Sequence, residues 1–504
     1  MSEISKHSLK ESLLQLECHF TWMLLKEDID PEELEERIED QIEFLLFTSK
    51  TRNYNLLAYV QSLRGKNKEA LKNLQRAEET VKIEYPKEFE KESLIIWSNY
   101  AWVFYQMDKL KEVQIYLKKV ASTCKEHRSA SPYNIKFPQL YCEKGWALLK
   151  FGGKYYEKAK ESFAKALEYE PENPEFNSGY AITVYRLEDF YEKKVADGSS
   201  LELLRHALRL NPEDAFLMPI LALKLQETNQ AEEGGKYIKE ALEKYPDIPY
   251  VLRYAAKFYR KAGDVKRALQ LLRDAINLQP NSGFLHHQIG LCYRTQYWDL
   301  KKATSQHRGL MAELLRRCIF HFKQVVEHKT KFVFAHLDLA GMYAEGKRYP
   351  DAEEMFQKVS AMSKLTLLEK QEFHLCYGCY QEYHKKSESD AIKQYLEGLK
   401  IENDSYPRNK CKFHLEKIIK KAIKGGFCDA NKYGVLGYIH KLDGEKQQAI
   451  ECYEKAHRMD PDNEEYFSAL CDLKLYLEDQ QPNPEVPSAS SALEATALGV
   501  AKMP

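Results

Sequence analysis

Three prolines set the frame of this chain. Pro212, Pro246 and Pro280 are spaced by 34 residues, twice in succession. Each closes a similar phrase: Ala207-Leu208-Arg209-Leu210-Asn211-Pro212, Ala241-Leu242-Glu243-Lys244-Tyr245-Pro246 and Ala275-Ile276-Asn277-Leu278-Gln279-Pro280. Two more phrases match them, Ala166-Leu167-Glu168-Tyr169-Glu170-Pro171 and Ala456-His457-Arg458-Met459-Asp460-Pro461. A period of this length means one supersecondary unit repeated, each copy burying its apolar face against its neighbours. Proline ends a helix, because it lacks an N–H and clashes with the preceding turn. The chain therefore has to fold as stacked helical hairpins. Its 504 residues build an array and not three or four independent globular domains.

The unit from Pro249 to Ser282 carries the tetratricopeptide pattern. Large residues stand at positions 4, 7, 11 and 24 and small ones at 8, 20 and 27. Here Leu252, Ala255, Ala256 and Tyr259 occupy 4, 7, 8 and 11, and Ala268, Leu272, Ala275 and Pro280 occupy 20, 24, 27 and 32. The unit near the C-terminus fits too, with Tyr433, Leu436, Gly437, Ala449, Tyr453, Ala456 and Pro461, and weaker copies centre on Ala58, Ala101, Gly145, Ala340 and Gly378, for about eight to ten units in all. The fold class is all-α, a tetratricopeptide superhelix enclosing a basic central tunnel. The expected divisions are 1–135, an N-terminal helical subdomain; 136–330, a middle subdomain with the main ligand pocket; and 331–478, a C-terminal subdomain. The segments 192–200 and 295–309 interrupt the period and read as polar insertions. The tail 479–504, with Pro487-Ser488-Ala489-Ser490-Ser491, has little to bury and reads as disordered.

Composition narrows the function classes. The formal net charge is −1, with 75 basic and 76 acidic residues. That excludes a uniformly basic coat but not a local basic groove, since binding follows charge distribution. No run approaches the ~18 apolar residues of a membrane span, and the N-terminus has no signal-peptide pattern. The 11 cysteines are scattered and odd in number, which suits free thiols in a reducing, cytoplasmic setting. Segment 27–43 holds ten acids and one base, Arg37. Glu33, Arg37 and Gln41 are four apart and share one helical stripe.

In a superhelix of helix pairs the first helix of each pair lines the concave wall. Positions 2, 5, 9 and 12 form one face of it. In the unit at Pro249 these are Tyr250, Arg253, Lys257 and Arg260, and in the next Phe284, His287, Leu291 and Arg294. Elsewhere Ile182, Tyr185 and Arg186, then Trp146 and Lys150, fall on the equivalent face. Cations interleaved with aromatics suit phosphates and stacked bases. The same cations can hold a peptide carboxylate, so periodicity leaves both ligands open. A second basic run, 408–424, carries seven cations against Glu416. It reads as an extension of a backbone-tracking groove or as a solvated helix face.

Several phrases go beyond the repeat consensus. They include Cys18-His19-Phe20-Thr21-Trp22, Gly145-Trp146-Ala147-Leu148-Leu149-Lys150, Arg253-Tyr254-Ala255-Ala256-Lys257-Phe258-Tyr259 and Leu285-His286-His287-Gln288-Ile289-Gly290. From about residue 10 to residue 475 the chain resembles the interferon-induced proteins with tetratricopeptide repeats, most of all the members that bind RNA 5′ ends. The resemblance implies a cytoplasmic antiviral protein that holds single-stranded RNA by its 5′-triphosphate, or by a cap lacking 2′-O-methylation. It implies phosphate-binding roles for Gln41, Lys150, Tyr156, Arg186, Tyr250, Arg253, Tyr254, Arg260, His287 and Gln288. Trp146 would stack on a cap guanine beside Arg37, and Glu33 would hold a magnesium ion bridging the phosphates. The alternative is a scaffold that binds family members or signalling proteins through peptide grooves. The chain departs from the family at Phe216, where RNA-binding members have tyrosine, and at Leu217-Met218-Pro219, which removes a cation. Phe47 is bulkier than usual near the cap pocket.

Catalytic motifs are missing. Gly152-Gly153-Lys154 is followed by Tyr155, so no phosphate loop with a magnesium-binding hydroxyl exists. Cys376 and Cys379 form a lone C-x-x-C without the second pair of ligands that zinc needs. His286 reads as structural and His287 as a ligand contact. The expectation is a binding protein and not an enzyme.

Overall fold

The computed structural model describes residues 6–44, 49–191, 199–303 and 308–479. Every element in them is helical. Two compact units part between Gly346 and Lys347. The first therefore runs one helix past residue 330 and contains residue 135 in its interior.

In the first unit, helices Lys6–Leu13 and Pro31–Phe44 precede seven hairpins. These pair Lys50–Leu63 with Asn67–Glu84, Leu94–Gln106 with Leu110–Glu126, Pro138–Lys150 with Tyr156–Tyr169, and Pro174–Tyr191 with Ser199–Leu210. Next come Leu217–Glu227 with Ala231–Lys244, Pro249–Lys261 with Val265–Leu278, and Gly283–Ala303 with Arg308–His328, and then the single helix Val333–Glu345. The second unit holds helices Tyr349–Ser360 and Tyr406–Lys424, the hairpin of Ala430–Leu442 with Lys446–Met459, and Glu464–Asp479. It also holds the hairpin of Leu367–Tyr380 and Glu388–Lys400, where a π-helical turn, Gln381–Lys385, extends the first helix.

The repeat logic is visible atom by atom. The helices Ser199–Leu210, Ala231–Lys244 and Val265–Leu278 each stop two residues before their proline. Gly263 turns a three-residue connection with φ +87°, a conformation that costs an L side chain. Asp264 then caps the returning helix, its Oδ1 accepting from the Arg267 N–H at 3.0 Å, which satisfies an otherwise orphan donor. Small residues are obligatory where helices cross. A Cβ on Gly179 would meet the Phe163 ring at 2.2 Å, and one on Gly145 would meet it at 2.8 Å. Phe163 is fully buried and its ring stands edge-on to Trp146, 5.4 Å between centroids.

One expected insertion is largely helical among the described residues. Most of 295–309 is helical, because helix Gly283–Ala303 runs on to Ala303 and the next begins at Arg308. The added turns are anchored. Tyr297 is buried and its hydroxyl donates to Glu345 Oε2 at 2.8 Å, while the Lys301 ammonium lies 4.7 Å from the Trp298 ring centre. Periodicity registered a gap in the consensus where the molecule only lengthens a helix. Phe47, most of the 192–200 insertion and the tail from residue 480 lie outside the described residues. No described helix is long and apolar enough to cross a membrane, and all 11 cysteines are free thiols.

Candidate nucleic-acid interface

Helix Pro31–Phe44 carries the stripe Glu33, Arg37 and Gln41 into the concave side of the first unit. Arg37 Nη2 donates to the Lys150 carbonyl at 2.8 Å, so this stripe meets the end of helix Pro138–Lys150. Arg37 is exposed to water, yet burial is the largest influence on its guanidinium, which is pulled below its ordinary value. Glu33 opposes that shift, while Arg186 and Arg253 add like-charge repulsion. Arg37 and Arg253 line one cavity of about 70 Å³, with Arg186 within electrostatic reach.

Their direct partners are neutral. Lys150 Nζ donates to Asn53 Oδ1 at 2.6 Å. Arg186 Nη2 donates to the Tyr254 hydroxyl at 2.9 Å. Arg253 lies over three rings, 4.5 Å from the centre of Phe284 and 5.1 Å from those of Tyr250 and Tyr254. Its buried Nε has no hydrogen-bond partner, nor has that of Arg260. Among the described residues none of Arg37, Lys150, Arg186 and Arg253 forms an ion pair. Burial, then Arg52 and Arg37, hold the Lys150 ammonium well below its ordinary pKa. Burial raises the Tyr254 phenol, but Arg186, Arg253 and Lys257 outweigh it and pull the group down. Tyr156 is within electrostatic reach of both Arg37 and Arg186.

Further along, Arg260 donates to Gln288 Oε1 at 3.4 Å. His287 is buried, and its Nε2 stands 2.9 Å from Asp338 Oδ2. Arg294 pairs with the same carboxylate. His286 is buried as well. Its Nε2 donates to the Pro280 carbonyl at 3.1 Å, so its Nδ1 accepts from His321 Nδ1 at 2.9 Å. Glu33 forms an ion pair with Lys329.

Two cavities meet at Gln41. The smaller, about 70 Å³, is lined by Arg37, Asp40, Gln41, Tyr250 and Arg253 among others. The larger, about 520 Å³, takes in Gln41, Trp146, Lys150, Ile182 and Phe216. The larger wall also holds residues that the repeat positions do not reach: Arg52, Asn53, Glu175 and Asp214. The Arg52 guanidinium lies 5.3 Å from the Trp146 ring centre and pairs with Glu175. Arg52 sits in a buried helix between repeat consensus positions, flanked by Lys50, Thr51, Asn53 and Asn55, so nothing in the local sequence singled it out. The Phe216 ring packs 4.4 Å from that of Tyr250. Met218, where the family's cation would stand, is 1% exposed and belongs to the core. Pro219 falls in the first turn of helix Leu217–Glu227, where no intrahelical N–H is lost. No group of three or more His, Cys, Asp and Glu side chains among the described residues could hold a metal, and that includes the surroundings of Cys376 and Cys379.

Comparison with known proteins returns the repeat first. The tetratricopeptide repeat pattern matches residues 138–173, 221–283 and 433–463. The chain is 46% identical over 466 residues to the antiviral innate immune response effector IFIT1 of Macaca fascicularis, covering 91% of this chain and 97% of that protein. It is 40% identical to interferon-induced protein with tetratricopeptide repeats 2 of Homo sapiens, covering 90% and 96%. Among solved structures it resembles the human IFIT1 dimer with PPP-AAAA, with TM-score 0.81, 45% identity and coverage of 90% of this chain and all of that one. The human IFIT1 dimer with m7Gppp-AAAA matches at TM-score 0.83 with the same identity and coverage.

Proposed function

The chain belongs to the family of interferon-induced proteins with tetratricopeptide repeats, and from that premise we propose that its first unit captures single-stranded RNA by the 5′ end in antiviral innate immunity. One observation carries the reading. Arg37 lies within electrostatic reach of Lys150, Arg186 and Arg253, and among the described residues none of the four forms an ion pair. Like charges held together in a partly desolvated site are costly, and an anion of several charges relieves that cost. A 5′-triphosphate is such an anion, and arginine grips phosphate oxygens in pairs.

In this reading Gln41 stands between two subsites. Arg37, Lys150, Arg186, Tyr156 and Arg253 bind the triphosphate. Tyr250, Tyr254, Lys257, Arg260, Phe284, His287 and Gln288 follow the next nucleotides by stacking and backbone contact, without reading sequence. The larger cavity, with Trp146, accommodates the guanine of a cap lacking 2′-O-methylation. Magnesium commonly takes one or two carboxylates together with substrate phosphates. Glu33 supplies one carboxylate, and binding the ion would mean exchanging the Lys329 ammonium for it. When bound, the ion neutralises phosphate charge. The protein acts in the cytoplasm by sequestration and carries out no chemistry: an RNA end held in this site is withheld from translation initiation. The human IFIT1 dimers support association with a second copy or with a relative.

The test compares one RNA bearing a 5′-triphosphate, a 5′-monophosphate or a 5′-hydroxyl. Tight binding of the first alone is expected. Equal affinity for all three refutes end recognition. A scaffold would instead bind related proteins and carry no RNA on purification, as read from absorbance at 260 against 280 nm.

A further inference from the structure

The basic run in the second unit forms one helix, Tyr406–Lys424. One side of it is spent on the unit's core, where Cys411, Leu415, Ile418 and Ile419 are buried. The other side keeps the lysines. Lys417, Lys420, Lys421 and Lys424 are exposed, and with Phe413 and Glu416 they line a surface groove of about 480 Å³. Steps of three and four residues place them along one stripe. From Lys417 to Lys424 the stripe covers about 10 Å at 1.5 Å per residue. Phe413 is 56% exposed, and the Lys410 ammonium lies 5.4 Å from its ring centre.

Two of the four groove lysines, Lys421 and Lys424, keep their charge unpaired among the described residues. Glu416 is the groove's one carboxylate, and Lys420 reaches it at 3.0 Å. Lys417 donates to the Tyr383 hydroxyl at 2.9 Å and lies 3.4 Å from Glu382. We propose that this groove is a second binding surface, which holds the backbone of single-stranded RNA with a base stacked on Phe413 and makes no use of the 5′ end. Clustered lysines complement a polyanion, and an aromatic ring among them is the stacking platform of single-strand binders. A helix that lies on a membrane keeps its apolar face free for lipid. Here that face is core, and Ile423 and Phe427 are the exposed apolar residues left at the helix end.

The surface is tested on the full chain with a 5′-hydroxyl RNA of about 20 nucleotides, by fluorescence anisotropy between 50 and 200 mM salt. Lys420→Ala/Lys421→Ala/Lys424→Ala should lower the slope of log K against log salt by about 2, at about 0.7 per phosphate contact. That amounts to about 20-fold less salt sensitivity across the range. Phe413→Ala should weaken binding about fivefold or more. All four side chains are exposed, so the fold should survive, which circular dichroism checks. The effects should persist with Lys150→Met and Arg253→Gln in place, which disable the end pocket and separate this surface from it. Unchanged slope and affinity in the triple variant overturn the proposal. So does a triple variant that keeps RNA but loses binding to phosphatidylserine vesicles, which would assign the helix to lipid.

Discussion

Lys150→Met separates a binding residue from a structural one. Methionine keeps the side chain to within one atom of its length and removes its charge. In the free protein two effects oppose. Asn53 Oδ1 loses the donor now at 2.6 Å, and the loss of one intramolecular hydrogen bond costs about 0.5–1.5 kcal/mol. Against this, an ammonium depressed by burial and by Arg52 and Arg37 disappears, a relief of about the same order. The free variant should therefore unfold in urea within about 1 kcal/mol of the parent. Binding has no such offset. A charge-assisted hydrogen bond to phosphate contributes about 1.5–3 kcal/mol, so affinity for 5′-triphosphate RNA should fall about 10- to 150-fold. Affinity for 5′-hydroxyl RNA should change far less. Anisotropy titrations with both RNAs, beside urea melts of the free proteins, give all the quantities. A free variant destabilised by more than about 3 kcal/mol would make Lys150 a structural residue, and unchanged triphosphate affinity would remove it from the site.

Three further outcomes are expected. Triphosphate affinity should decline as pH rises from 6 to 9. Lys150 and Tyr254 are both depressed in the free protein, a bound anion restores their protons, and proton uptake on binding weakens as protons become scarce; calorimetry in buffers of different ionisation enthalpy would show that uptake, and affinity that rises with pH would contradict it. Gly179→Ala should lose about 2 kcal/mol or more, because its Cβ would overlap the rigid Phe163 ring. Gly235→Ala, in a helix with open space around it, should gain about 0.5–1 kcal/mol, so similar melts for the two variants would refute the packing argument. Trp146→Ala should cost capped RNA about 1–3 kcal/mol of stacking and spare triphosphate RNA, read as the ratio of the two Kd values.

How much was legible beforehand differs by scale. Helix ends followed directly from Pro212, Pro246 and Pro280, since proline acts locally. That Tyr250 and Arg253 line one cavity followed from helical spacing. The extension of helix Gly283–Ala303 was not legible, because Tyr297 is held by Glu345, 48 residues on. Arg52 was missed for a similar reason: its meaning comes from Trp146 and Glu175, which other hairpins bring to it.

Sequence alone settled that this chain is an array of helical hairpins, because that depends on spacing within a few turns of one helix. The tertiary structure alone decided that Arg37, Lys150, Arg186 and Arg253 come together without an ion pair among the described residues, while Arg294 and His287 share Asp338. Charge compensation acts between side chains far apart in sequence, so it exists only once the helices are stacked.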